Sequence, residues 1–183
     1  MVAVSAVSKD HVSFEFIHCF NFRFKFMKIP GVDHFLVQEF LHPSIYNYVN
    51  RGDGLERWRW YVSKFQLEYA VLLREVLAAP IKINTWHKGG NLVGRGTRPI
   101  NYRPKGGAIF SQHYLANALD VSSPAFTPVQ ILAKIEANWE KFALIGCTTF
   151  ENPKTTKTWL HGDGRARVDG LHPADGGWLV VEP

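Results

Sequence analysis

The sequence predicts an α+β fold in one domain, and three observations lead to this prediction. Residues 55–79 and 129–143 carry apolar side chains at the three-to-four spacing of amphipathic helices. Residues 14–26, 81–86 and 178–181 have the composition or the period of two expected of strands. No internal repeat, low-complexity tract or linker divides the chain, so we expect these helices and strands to share a single core.

The composition is that of a folded domain. With 183 residues, of which 46% are hydrophobic and 20% charged, the chain is not a disordered tail, a collagen-like repeat or a coiled coil. Its two cysteines, Cys19 and Cys147, form no Cys-x-x-Cys pair and exclude a disulfide-built scaffold. The net charge of +5 suits an anionic partner, such as nucleic acid, a membrane surface or an anionic cell wall, without choosing between them.

Neither a membrane span nor a signal peptide is expected. No apolar stretch approaches the roughly 20 residues that cross a bilayer, and charged residues interrupt the N-terminus where a signal peptide needs an apolar run. We therefore expect a protein that is made in the cytoplasm and has no membrane partner.

The N-terminal segment has the clearest strand pattern. Between residues 14 and 26, phenylalanine recurs at even positions while polar side chains take most of the odd ones. Met27 can itself be a start site, so we treat residues 1–26 as an N-terminal extension, and residues 27–183 as the single working domain.

The remaining elements follow from the positions of proline and glycine. Pro80 ends the helix predicted over 55–79, and 81–86 is the strand that follows. Residues 87–107 are glycine-rich and basic without an apolar period, which predicts a long functional or mobile loop. The helix over 129–143 leads into a short strand, and 178–181 forms the last one.

Two short clusters carry the side chains that can bind a metal. Residues 111–120 place the imidazole of His113 seven positions before the carboxylate of Asp120, and residues 159–165 contain His161 and Asp163. A catalytic zinc ion takes three protein ligands from His, Asp, Glu or Cys and keeps one position open. A single histidine is more often hydrogen-bonded than metal-bound, so the hypothesis depends on the two clusters together.

Together the clusters resemble the zinc D-alanyl-D-alanine carboxypeptidase family, in particular its phage-type branch. The family pattern S-x-H-x-x-G-x-A-x-D matches Ser111 to Asp120 except that Ala116 replaces the usual glycine, and aromatic-x-H-x-D-x-R matches Trp159 to Arg165. The segments 83–90 and 95–98 are also similar to that branch, and the resemblance covers about residues 27–165. It implies a hedgehog/DD-peptidase-like α+β fold in which a small, mostly antiparallel sheet carries a zinc site and helices pack against it.

The resemblance implies a Zn²⁺ ion held by His113, Asp120 and His161. Such an ion lowers the pKa of a bound water toward about 7 and polarises a scissile carbonyl. The implied substrates are D-amino-acid-containing peptides of bacterial peptidoglycan, cut by a carboxypeptidase or an endolysin-like enzyme. Without a signal peptide, such an enzyme would reach the wall after phage lysis or as a virion component.

Substrate binding requires a cation for the C-terminal carboxylate of the peptide. The family uses an arginine ahead of the Ser-x-His motif, and we expect Arg98 in this role, with Arg95 and Arg103 as competitors. Ser111 is expected either to hydrogen-bond the substrate or to order its loop.

The general base is the weakest part of the resemblance. Many relatives have a carboxylate three residues before the last histidine ligand, but this chain has Thr158 there. Asp163 is the carboxylate that we expect to assist the water, although orienting a ligand or pairing with Arg165 would also explain it. Glu151 is a further candidate.

Three alternatives compete with this interpretation. His161, Asp163 and His172 have the order of an iron-binding facial triad, but too few residues follow for the usual strands. The basic loop 87–105 suits nucleic acid, yet no nucleic-acid-binding motif accompanies it, and we expect no nucleic-acid partner. The strongest alternative is a non-catalytic virion or cell-wall-binding protein that retains the peptidase fold.

Overall fold

The computed structural model describes residues 27–51, 57–102, 108–166 and 178–182, which contain both helices and strands. The predicted strand over 14–26 lies outside these residues. Five α-helices and six strands are present in the described part: β1 (Lys28–Ile29), β2 (Val32–Leu36), α1 (Val37–Phe40), α2 (Pro43–Val49), α3 (Lys64–Leu77), β3 (Ala118–Val121), α4 (Pro128–Glu136), α5 (Trp139–Leu144), β4 (Thr149–Glu151), β5 (Leu160–Asp163) and β6 (Leu179–Val181). Short 3₁₀ helices cover Arg57–Trp60, Trp86–Lys88 and Gln112–Leu115.

The helix predicted over 55–79 is shorter in the structure. Ser63 caps α3 by accepting a hydrogen bond from the Gln66 amide, and Gln66 Oε1 in turn accepts a bond from the Ser63 amide. This capping box begins the helix at residue 64. The buried face of α3 contains Tyr69, Leu73 and Leu77, and burying each such side chain contributes about 1.5–3 kcal/mol.

The second predicted helix, over 129–143, is divided in two. Thr127 caps α4 with a second capping box, and α4 packs against α3 and β5. The helix ends at Glu136, and α5 begins after Asn138, whose φ and ψ of −127° and 24° are not helical. The apolar period nevertheless identified the correct faces, because Ile131, Ile135 and Phe142 are all buried.

A four-stranded sheet in the order β3-β5-β4-β6 forms the centre of the domain. Strands β3, β5 and β4 are antiparallel, while β6 runs parallel to β4. A separate hairpin joins β1 and β2. The α+β class is therefore confirmed, with one mixed sheet and one small antiparallel sheet.

The strand expected over 81–86 does not form. Lys82 makes an isolated antiparallel bridge to Ser122, and Trp86–Lys88 is a 3₁₀ turn. The side chain of Asn84 binds the carbonyl of Leu41 and the amide of Arg95, so it joins loops where a strand would need a paired neighbour. The strands predicted after residue 146 and at 178–181 are confirmed as β4 and β6.

Among the described residues, no helix is long and apolar enough to cross a membrane.

Candidate metal centre

Two antiparallel strands place Asp120 and His161 opposite each other. The register of β3 against β5 pairs these two residues directly. Directly opposed side chains lie on the same face of a sheet about 5 Å apart at Cβ. In the structure, His161 Nδ1 lies 2.7 Å from Asp120 Oδ1.

His113 joins them from the 3₁₀ helix that precedes β3. Ser111 caps this helix, with its Oγ accepting a bond from the His113 amide at 3.4 Å. Ala116 then ends the helix with a φ of 55°, a left-handed conformation that favours glycine. The pattern S-x-H-x-x-G-x-A-x-D has glycine at the position of Ala116, and this turn, which directs the chain from His113 into β3, is a physical reason for a glycine there.

The three side chains form a buried group that we call the His-Asp-His cluster (His113, Asp120 and His161). His113 Nε2 lies 3.2 Å from Asp120 Oδ1 and 3.3 Å from His161 Nδ1. Ligand atoms at zinc bond lengths of about 2.0–2.1 Å in a tetrahedron lie about 3.3 Å apart. Two of the three distances match this spacing, while Asp120 Oδ1 and His161 Nδ1 are closer, at the 2.7 Å of a hydrogen bond. Two imidazole nitrogens and a carboxylate oxygen so placed form a group that could hold a metal ion.

Hydrogen bonds on the far side of each imidazole determine which nitrogen faces the cluster. His113 Nδ1 donates to the carbonyl of Gly96 at 2.8 Å, which leaves the Nε2 lone pair free for a metal. His161 Nε2 donates to Asp163 Oδ2 at 3.1 Å, so Nδ1 is the nitrogen that faces the cluster. Such partners orient metal-binding histidines and raise their basicity.

The charges of the cluster are strongly coupled in the metal-free protein. Burial lowers the pKa of His161, but its bonds to Asp120 and Asp163 outweigh this and raise the pKa to about 10. Burial opposes ionisation of Asp120, yet the two imidazoles hold its pKa well below the ordinary value. Burial also lowers the pKa of His113. Without metal, His161 is therefore a cation between two carboxylates.

Asp163 lies behind His161, away from the other two members of the cluster. Its side chain is 0% exposed, and its oxygens also accept bonds from the backbone amide and guanidinium of Arg165 at 2.9–3.0 Å. This position differs from the one expected of a group that assists a water. It is the position of a residue that orients His161.

Glu151 approaches the cluster from the next strand. The pairing of Phe150 with Gly162 brings Glu151 of β4 beside His161 of β5, and Glu151 Oε1 lies 3.9 Å from His161 Nδ1. Its side chain is 20% exposed. Burial raises the pKa of Glu151, although His161 partly offsets the shift. Thr158, three residues before His161, is exposed.

Arg98 is at the cluster, whereas Arg95 is bound elsewhere. Arg98 Nη2 lies 3.4 Å from Asp120 Oδ2, the side chain is 10% exposed, and its buried Nε has no hydrogen-bond partner within the described residues. Arg98 also lines a cavity of about 340 Å³ together with Tyr48, Tyr61 and Tyr114. Arg95 Nη1 donates to Ser122 Oγ at 2.8 Å. Arg103 and His172 lie outside the described residues.

Two contributors to the site were missed at the sequence level. Gly96 acts through its carbonyl, which no side-chain pattern reveals. Gly162 separates His161 from Asp163, and a Cβ there would lie 2.6 Å from Tyr69 Oη and 3.1 Å from the Phe150 ring. A glycine between two polar residues of a strand signals such a close approach.

Comparison of the chain with family models, curated proteins and solved structures finds no significant match.

Proposed function

We propose that the protein is a zinc-dependent peptidase that hydrolyses D-amino-acid-containing peptide bonds of bacterial peptidoglycan. The observation that carries the proposal is the His-Asp-His cluster, whose donor atoms converge closely enough to hold a metal ion and whose imidazoles are hydrogen-bonded on their far sides. The substrate class comes from the similarity of both motifs to zinc D-alanyl-D-alanine carboxypeptidases. The proposal includes the hedgehog/DD-peptidase arrangement, in which a small sheet carries the metal.

In this proposal His113, Asp120 and His161 hold the metal. A zinc ion at this position supplies a Lewis acid and brings the pKa of a water near neutrality. The protein contributes rigidity, because each imidazole is bound on its far side by Gly96 or Asp163. Asp163 and Ser111 act as positioning residues, the former on His161 and the latter on the turn that carries His113.

Arg98 is the group that we assign to the substrate carboxylate. Its guanidinium is next to Asp120, and Arg98 lines the cavity of about 340 Å³, while its buried Nε has no hydrogen-bond partner among the described residues. A planar guanidinium binds a carboxylate through two parallel hydrogen bonds. Binding the terminal carboxylate there would place the last peptide bond of the substrate near the cluster.

Digestion of purified peptidoglycan tests the proposal. The zinc-loaded protein, the same protein with a chelator, and the His113→Ala variant are each incubated with the wall, and released peptides are identified by mass spectrometry. We expect release that stops with chelator, returns with added zinc and is absent from the variant. Bound zinc without any release would support the non-catalytic wall-binding protein instead.

A further inference from the structure

We infer that Glu151 is a catalytic residue of this site, supplied by strand β4 in place of the carboxylate that is missing at position 158. The inference rests on the proposed peptidase function and names the residue that handles the proton of the attacking water. It follows from the position of the carboxylates around the cluster.

Each of the other carboxylates at the cluster is already engaged. Asp120 Oδ1 faces both imidazoles, and its Oδ2 faces Arg98. Asp163 is fully buried behind His161 and is bound to Arg165 through both oxygens. Neither has a lone pair directed at a reactant in front of the cluster.

Glu151 differs from them in three respects. Its Oε1 lies 3.9 Å from His161 Nδ1, on the same side of the ring as Asp120. Within the described residues its carboxylate accepts no hydrogen bond. Its side chain retains 20% exposure, so water and substrate can reach it.

The backbone of Glu151 is held on both sides of its strand. Strand β4 pairs with β5 through Phe150 and Gly162, and with β6 through Glu151 and Val181. The position of Glu151 relative to His161 is therefore a property of the sheet. Thr158 is exposed in the segment before β5, and its hydroxyl is a poor proton acceptor at neutral pH.

The proposed step is a hydrolysis in which Glu151 transfers one proton. Its carboxylate takes a proton from the attacking water while the water oxygen bonds to the scissile carbonyl carbon. The carboxylic acid then gives this proton to the amide nitrogen as the carbon–nitrogen bond breaks. One water is consumed, and a carboxylic acid and an amine are formed; the acid then passes its proton to the amine, which gives a carboxylate and an ammonium group. General acid–base catalysis of this kind typically contributes about 10²–10⁴-fold.

A role as a fourth metal ligand is the competing explanation, and it predicts a different result. Removing a ligand weakens metal binding and changes the absorption spectrum of a cobalt-substituted site. Removing a proton acceptor leaves both unchanged and lowers the rate.

The test compares Glu151→Gln with the wild type, using Glu140→Gln on the exposed side of α5 as the matched control. Three quantities are measured: zinc stoichiometry, the cobalt absorption spectrum, and the rate of peptide release from peptidoglycan. We expect Glu151→Gln to keep one metal and an unchanged spectrum while its rate falls by about 100-fold or more. We expect Glu151→Asp to recover part of the rate.

Two outcomes would overturn the inference while leaving the peptidase intact. A Glu151→Gln variant within about threefold of the wild-type rate would exclude a catalytic role, given the size of acid–base effects. Loss of metal or a changed cobalt spectrum in that variant would make Glu151 a ligand. A wild-type protein that binds zinc and releases no peptide would refute the proposed function, and the role of Glu151 with it.

Discussion

Replacing Asp163 with asparagine separates an orienting role from a catalytic one. The amide keeps the shape of the carboxylate but removes its charge, so the bond that the neutral, metal-binding imidazole of His161 donates from Nε2 no longer has a charged acceptor. Hydrogen bonds to charged groups contribute about 1.5–3 kcal/mol and neutral ones about 0.5–1.5 kcal/mol. The metal-binding orientation of the His161 ring therefore loses about 1–1.5 kcal/mol of hydrogen-bond free energy. Zinc affinity should therefore fall by about tenfold, at the lower end of the 10–100-fold typical of such partners.

The assay for Asp163→Asn is a competition titration with a chromophoric zinc chelator. The exposed Asp33 on β2 provides the matched control, since Asp33→Asn changes the net charge equally at a distance from the cluster. Unchanged zinc affinity in Asp163→Asn, together with a loss of peptide release of more than about 100-fold, would refute the orienting role. That combination would identify Asp163 as the general base.

Two further predictions concern the proton and the backbone at the cluster. Because Asp120 and Asp163 raise the pKa of His161 to about 10, zinc binding at pH 7 should release about one proton, and the release should decline as the pH rises above that value. Calorimetry in buffers of different ionisation enthalpy measures it, and a binding enthalpy independent of buffer would contradict it. Ala116→Gly should stabilise the metal-free protein by up to about 1 kcal/mol, because relief of a left-handed alanine, about 1–2 kcal/mol, exceeds the added entropy of glycine, about 0.5–1 kcal/mol. Urea unfolding measures this change, and clear destabilisation would show that the turn is not strained.

The faces of the helices were predictable from local patterns, and the members of the cluster were predicted from the resemblance of two motifs to a known family. Apolar spacing identified the buried sides of α3 and α4, and the two motifs named His113, Asp120 and His161. The structure brings these three together across 48 residues of chain because β3 and β5 pair with Asp120 opposite His161. Residue types were informative because the chemistry of a metal site restricts them strongly.

The boundaries of helices and the pairing partners of strands were not predictable from local patterns. The apolar pattern predicts a helix from residue 55, but the helix begins at residue 64 because the Ser63 and Gln66 side chains satisfy backbone groups there. The segment 81–86 has strand composition, but Asn84 is bound to loop backbone. A strand needs a paired neighbour, and that partner is a property of the tertiary fold.

The roles of Asp163 and Glu151 depend on the side of the His161 ring on which each carboxylate lies. Their separation from His161 along the sequence does not predict that side. Asp163 is two residues from His161 and lies behind its ring, whereas Glu151 is ten residues away and lies near its front edge. Period-two alternation places residues 161 and 163 on one face of β5. This alternation does not predict which nitrogen of His161 lies next to each carboxylate.

The zinc content of the purified protein tests the central claim most directly. After dialysis against zinc and removal of the excess, elemental analysis should find one zinc per chain in the wild type and far less in His113→Ala. The variant should remain folded by circular dichroism, so that the loss reports on the ligand. Full zinc content in His113→Ala, or no zinc in the wild type, would contradict a metal centre built from His113, Asp120 and His161.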